Sequence, residues 1–232
     1  MSEYRLPHGL RILYEDRDLI VVDKPSGLLS VAAGAEREKT AYWILCEYLR
    51  KRGEKRRVAA VHRLDRDTSG VMVFAKSEET KRALMEDWND SIVERRYVAL
   101  AEGDFPEAEG VFDAPLGEDR GGRVVVAAGG QAAVTRWRVL DSGGGYTLVE
   151  LELETGRRNQ IRAHLDWAER PVAGDPKYGA RTDPIGRLAL HAERLALRHP
   201  RTGEVLRFEV PVPAEFRRPL RGGRRPSPSR GR

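Results

Sequence analysis

Apolar residues fall in short blocks along most of the chain, and more of the blocks have strand length than helix length. Residues 10–14 and 19–23 are apolar runs around a polar Glu15-Asp16-Arg17-Asp18 turn, which predicts two short strands. Pro25-Ser26-Gly27 is a turn signal, and residues 31–39 are small and polar, hence a loop. Residues 40–52 switch to helical spacing, with Thr40 as cap, basic residues at the far end and Gly53 as terminator. Residues 58–61 predict a strand, and residues 71–75 a buried one, because that run is short, apolar and β-branched. Residues 77–89 predict a helix capped by Ser77, with Glu78 and Glu79 in its first turn and Ala83, Leu84 and Trp88 on one face. A strand follows at 97–102. Residues 103–135, rich in glycine and acids, predict long hairpins or a flexible lobe.

Further on, Leu151 and Leu153 alternate with Glu150, Glu152 and Glu154, which predicts a half-buried strand over 146–154 with one wet face. A helix over 159–169 follows the Gly156-Arg157-Arg158 loop, and strands return at 189–197 and 205–212. No internal repeat is present. Strands and helices do not alternate strictly, so the pattern predicts an α+β fold around a mixed, largely antiparallel sheet.

Composition narrows this picture. The 232 residues suffice for one sizeable core or two small ones. No run approaches the ~18 apolar residues of a membrane helix, and the first residues lack the apolar core of a signal peptide. The single cysteine, Cys46, cannot form an internal disulfide, which fits a reducing cytoplasm. His8, His62, His164, His191 and His199 are scattered and give no Cys/His cluster of metal-ligand spacing, so no metal is expected. The net charge of +5 is uneven. Residues 217–232 hold seven arginines and no acid, which leaves the rest of the chain at −2. That segment is also rich in Pro, Gly and Ser and predicts a disordered tail, acting either as a phosphate-binding arm or as a solubiliser. The expected division is therefore a catalytic domain over 1–216 and a tail over 217–232.

The chemistry concentrates in residues 62–76, which read His62-Arg63-Leu64-Asp65-Arg66-Asp67-Thr68-Ser69-Gly70-Val71-Met72-Val73-Phe74-Ala75-Lys76. Asp65 stands between two arginines at the mouth of the predicted strand. Neighbouring cations keep a carboxylate ionised, and an ionised, positioned carboxylate serves as nucleophile or general base. A calcium loop needs Glu where Lys76 stands. An aspartic-protease loop needs a second carboxylate to share one proton, and no second copy exists. For Asp67, Thr68 and Ser69 the reading is a turn whose side chains bond local amides.

The whole string resembles the signature of the RluA-type RNA pseudouridine synthases. Other landmarks follow in that family's order: Val21-Val22-Asp23-Lys24-Pro25-Ser26-Gly27, Arg96-Tyr97, Thr155-Gly156-Arg157-Arg158-Asn159-Gln160-Ile161-Arg162-Ala163-His164, Gly174-Asp175-Pro176-Lys177-Tyr178-Gly179 and Leu190-His191-Ala192. Many relatives carry Thr-His where this chain has Arg158-Asn159. The resemblance implies an α+β fold with a central catalytic cleft and conversion of uridine to pseudouridine in ribosomal or transfer RNA, without cofactor or metal. It implies Asp65 as the catalytic carboxylate, acting at C1′ or as a base at C2′. Arg162 is its expected ion-pair partner, and Tyr97 the residue packing on the target base. Arg63 is expected to fill the space of the flipped uridine. His62, Arg157 and Arg158 are expected on the RNA side, and Ile161 and Leu190 along the pocket. Two rivals remain at this stage. One is a catalytically silent RNA-binding protein on the same fold. The other is a glycosidase, which needs a second carboxylate such as Asp67 or Asp175.

Overall fold

The computed structural model describes residues 4–32, 39–86 and 88–222. In chain order its elements are β1 (Tyr4–Arg5), β2 (Arg11–Glu15), β3 (Leu19–Lys24), α1 (Ala41–Lys51), β4 (Ala59–Ala60), β5 (Ser69–Ala75), α2 (Glu78–Glu86), α3 (Trp88–Ser91) and β6 (Ile92–Glu102). Then come β7 (Glu109–Asp113), β8 (Leu116–Glu118), β9 (Val124–Val126), β10 (Val134–Gly143), β11 (Tyr146–Leu153), α4 (Gln160–Trp167), β12 (Leu190–Arg198) and β13 (Val205–Glu209). The chain divides into two compact units, Met1–Glu94 with Ala192–Val210, and Arg95–His191 with Pro211–Arg232.

In the first unit the strands run in the order β1-β2-β3-β5-β12, with β4 added to β5 and β13 to β12. The pairs β2–β3, β3–β5 and β12–β13 are antiparallel, with Val21 opposite Val73. Leu19 to Val22 and Met72 to Ala75 are completely buried. Two unbroken apolar runs are what strands covered on both faces require. Each such aliphatic side chain contributes roughly 1.5–3 kcal/mol through burial. Helix α1 starts where Thr40 Oγ1 accepts the Trp43 amide at 3.1 Å, and it buries Ala41, Ile44, Leu45 and Leu49 along one stripe.

Helix α2 is capped as expected, since Ser77 Oγ accepts the Thr80 amide at 3.0 Å. Its buried face, however, is Thr80 and Leu84, one turn apart, and the expected face member Ala83 is exposed. The strand expected over 58–61 shortens to the two residues of β4.

In the second unit β6, β11, β10 and β7 form an antiparallel sheet in that order. Its core contains Val98 to Ala101, Leu148, Val149, Leu151, Ile161, Leu165 and Phe216. A smaller cluster of Leu116, Val124, Ala133, Ala163 and Tyr178 joins the β8–β9 hairpin to α4. The 103–135 region is thus a set of ordered strands. Strand β11 departs from the predicted wet face, because Thr147, Leu148 and Val149 are all fully buried and in–out alternation holds only towards its end.

The expected tail boundary at 217 also moves. Residues 214–217 and 219–221 form short 3₁₀ helices, Phe216 is fully buried and Leu220 packs on the same core. A Cβ at Gly143, in the turn end of β10, would lie 2.3 Å from the Leu220 carbonyl oxygen, so glycine is required there. The remainder of the arginine-rich segment, from 223 onward, lies outside the described residues.

Candidate active-site residues

The Asp65 turn belongs to the first unit and links β4 to β5. Its backbone is fastened at Leu64, Arg66 and Asp67. Ser30 Oγ donates to the Leu64 carbonyl at 2.7 Å and accepts the Leu64 amide at 3.1 Å. The Gly27 amide donates to the Arg66 carbonyl at 3.0 Å, and Ser26 Oγ to the Asp67 carbonyl at 2.8 Å. Lys24 is completely buried, and its ammonium donates to the carbonyls of Pro25, Leu28 and Arg66 at 3.0, 2.7 and 2.9 Å. Three carbonyl acceptors match the three donors of an ammonium, which makes a buried lysine tolerable. Within the turn, the Thr68 amide donates to the Asp65 carbonyl at 3.2 Å, a backbone bond that closes the turn without the side chains expected to do so.

The side chains on this frame divide by exposure. Asp65 is half-buried, while Arg63 is exposed and makes no ion pair among the described residues. Leu64 anchors the turn, only 4 % exposed. His62, expected on the RNA side, accepts the Val73 amide with Nε2 at 3.1 Å and leans on Trp88 with ring centroids 5.8 Å apart. That nitrogen is committed to holding β5. A Cβ at Gly70 would meet the Ala192 carbonyl oxygen at 2.1 Å, so the start of β5 runs directly against the β12 backbone and tolerates only glycine.

The other expected site residues belong to the second unit. Tyr97 lies on β6 opposite Leu151, partly buried against the core. Ile161 and Leu190, expected along the pocket, are core residues of that unit, each 4 % exposed. Both arginines before α4 are exposed but engaged. Arg157 Nε donates to the Ala132 carbonyl at 3.0 Å. Arg158 donates to the Gly122 carbonyl at 2.8 Å and pairs with Glu118 at 3.0 Å. Gln160 organises the loop. Its Oε1 accepts from Thr155 Oγ1 and the Arg157 amide, and its Nε2 donates to the Val134 carbonyl and Thr135 Oγ1, all within 3.0 Å.

Arg162 is forked onto Asp175, with Nε to Oδ2 at 2.6 Å and Nη2 to Oδ1 at 2.8 Å. Its guanidinium carbon stands 4.7 Å from the centre of the Tyr178 ring. This arrangement bears on the glycosidase rival, because Asp175 is committed to Arg162. Sequence reading marked Tyr178 as a landmark and Asp175 as a landmark and rival carboxylate, and it missed Arg123, whose guanidinium also stands over Tyr178 at 4.8 Å. No spacing rule connects Arg123 to a helix forty residues away.

One cluster among the described residues has ligand-like spacing, Asp16, Asp18 and His199. Its hydrogen bonds make it an ion-pair network. His199 Nδ1 accepts the Arg201 and Thr202 amides at 3.3 and 3.2 Å, so Nε2 carries the proton that it donates to Asp16 at 3.0 Å. The Tyr14 hydroxyl donates to the same Asp16 oxygen at 2.7 Å, and that bond, aided by burial, pushes the phenol up to about 12. Arg201 occupies Asp18.

Residues 18–167, which include Asp65, Tyr97 and Arg162, match the family model described as RNA pseudouridylate synthase. The chain is 40 % identical over 216 residues to the uncharacterized RNA pseudouridine synthase YlyB of Bacillus subtilis, covering 90 % of this chain and 71 % of that protein. It is 39 % identical over 219 residues to the ribosomal large subunit pseudouridine synthase D of Nitrosomonas europaea, covering 89 % and 63 %. Among solved structures, human RNA pseudouridylate synthase domain containing 4 matches with a TM-score of 0.73 at 28 % identity, over 90 % of this chain and 92 % of that one.

Proposed function

The chain belongs to the RNA pseudouridylate synthase family, and from that premise we propose that it isomerises uridine in structured ribosomal RNA with Asp65 as its catalytic carboxylate. The reaction class is an isomerisation. The bond between uracil N1 and ribose C1′ breaks, the base turns, and C5 bonds to C1′ while its proton leaves and N1 gains one. No electrons are exchanged with an outside donor, so the protein must supply a carboxylate, a held base and contacts to the RNA backbone. In this reading Asp65 acts as a base at C2′, Arg162 is the cation serving that carboxylate, and Tyr97 packs on the uracil. Arg63 stands in for the extruded base, and Arg157 and Arg158 meet phosphates. Ribosomal RNA is favoured over transfer RNA because a relative of 39 % identity carries the large ribosomal subunit in its name. The lone Cys46 suits a reducing, cytoplasmic setting.

The observation that carries the reading is the clamped turn. Lys24, Ser26, Gly27 and Ser30 fix the backbone on both sides of the half-buried Asp65. A catalytic group must be held within about half an ångström by its surroundings, and this turn is built that way. The test is Asp65→Asn, which keeps shape and removes charge. Conversion of uridine in ribosomal RNA should fall by at least about a thousandfold, with melting temperature and RNA affinity retained, whereas Asp67→Asn stays within about tenfold of wild type. The assignment fails if Asp67→Asn abolishes conversion while Asp65→Asn keeps it.

A further inference from the structure

Arg162 is held from two directions by groups of its own unit that the motifs leave without a role. Asp175 gives it both carboxylate oxygens in a paired fork. That aspartate is 2 % exposed and sits in a tight turn, its carbonyl accepting the Tyr178 and Ala180 amides at 3.0 and 3.1 Å and its amide donating to Val172 at 3.1 Å. The turn therefore fixes the carboxylate, and the carboxylate fixes the fork. Tyr178, fully buried, supplies the second restraint with its ring 4.7 Å from the guanidinium. Arg123, from the loop of the β8–β9 hairpin, stands over the same ring and is neutralised by Asp166 at 2.5 Å. The result is a symmetric row, Asp166, Arg123, Tyr178, Arg162, Asp175, in which two guanidinium groups share one ring and each is neutralised by its own carboxylate.

A guanidinium on a flexible stem has many orientations open to it. A bidentate carboxylate removes rotation in the plane of the fork, and a stacked ring removes tilt out of that plane. Together they leave Arg162 with one direction. Packing alone does not call for this, because a buried arginine is satisfied by any set of acceptors. We propose that Asp175 and Tyr178 are positioning residues for the isomerisation, acting through Arg162 by fixing the direction in which its guanidinium points. The inference rests on the reading of Arg162 as the cation serving Asp65.

The test measures the single-turnover conversion rate on saturating ribosomal RNA, together with RNA affinity, for Arg162→Met, Arg162→Lys, Asp175→Asn, Tyr178→Leu and Tyr178→Phe, and for the doubles with Arg162→Lys. A misplacement of about 1 Å costs on the order of a hundredfold in rate, which sets the loss expected for Asp175→Asn. RNA affinity should stay within about threefold. In the Arg162→Lys background the same change should cost less than about threefold further, because residues acting through one group are not additive. Tyr178→Leu should lose about tenfold, and Tyr178→Phe, which keeps the ring, should recover most of it. Should Asp175→Asn fail to fold, the Tyr178 pair carries the same cycle. Full additivity with Arg162→Lys, or a loss confined to RNA affinity, would overturn the positioning role. A wild-type rate in Arg162→Met would instead overturn the reading of Arg162 itself, and the two failures are told apart by that single variant.

Discussion

Arg63, in the Asp65 turn, and Lys24, at the end of β3, are two cations used in different ways. Lys24 is sealed in and spends its ammonium on three backbone carbonyls, so its charge shapes the turn. Arg63, on the turn that Lys24 clamps, is exposed and makes no ion pair among the described residues, so its guanidinium is open to solvent. If Arg63 fills the gap left by an extruded uridine, Arg63→Ala should slow conversion on a folded stem-loop more than on a short unstructured RNA. Unstacking costs a few kcal/mol in a stem and far less where the base is already loose. Equal losses on the two substrates, measured side by side, would move Arg63 from base replacement to a direct part in catalysis. At this scale the sequence was informative where one string carries a motif, as the run around Asp65 does for the family. It was uninformative where a role depends on what the fold brings near. Ile161 and Leu190, expected along a pocket, are members of the second unit's core, and His62, expected on the RNA side, bonds the Val73 amide. Apolar and ring side chains look alike in a motif whichever surface they meet.

Helix α4 is the element through which the second unit's sheet, hairpin and loops are tied together. Gln160 Nε2 donates to Thr135 Oγ1 at 3.0 Å, Thr135 Oγ1 donates to His164 Nδ1 at 2.9 Å, and His164 Nε2 donates to the Ala114 carbonyl at 3.0 Å. The chain of bonds has one consistent direction only with a neutral imidazole. Burial holds His164 below the usual histidine range, partly offset by the Ala114 carbonyl and Asp113. The sign of the consequence is fixed. Below the ordinary value of 6.5 the unfolded chain binds a proton that the folded one refuses, so stability falls as pH drops from 6.5 towards the depressed folded value. Denaturant midpoints taken between pH 7.5 and 5.5 should decline, with a slope of at most about 1.4 kcal/mol per pH unit from this one site. His164→Gln should show a shallower decline, and an unchanged slope would remove His164 as its source. The position of α4 was readable from its spacing and the preceding loop. Hairpins were one of the two readings of residues 103–135, but the bounds of β8 and β9 were not legible, because glycine and charge dominate that stretch, and β10 was not marked.

For the molecule as a whole, charge and core meet at the last described residues. Phe216 belongs to the second unit's core and Leu220 packs against it, so that core takes in residues beyond the expected boundary at 217. Truncation after Gly222 removes Arg224, Arg225, Arg230 and Arg232 and should leave the melting temperature unchanged. If those arginines meet phosphates, RNA binding should weaken and its salt dependence flatten by about 0.7 in log–log slope per lost contact. Truncation after Glu215 also removes Phe216, and losing a buried aromatic of that size costs about 3–5 kcal/mol. A salt slope indifferent to the shorter truncation would reduce the segment to a solubiliser. The division into two units carries a consequence for how the protein comes into being. Each unit is assembled from two separated stretches of chain, and β5 waits for β12, which is made more than a hundred residues later. A ribosome extending the chain at about 5–20 residues per second therefore releases the Asp65 turn and its strand many seconds before their neighbour exists. Until then an apolar strand edge stands open, and the nascent chain depends on speed, or on chaperones, to keep it from pairing elsewhere.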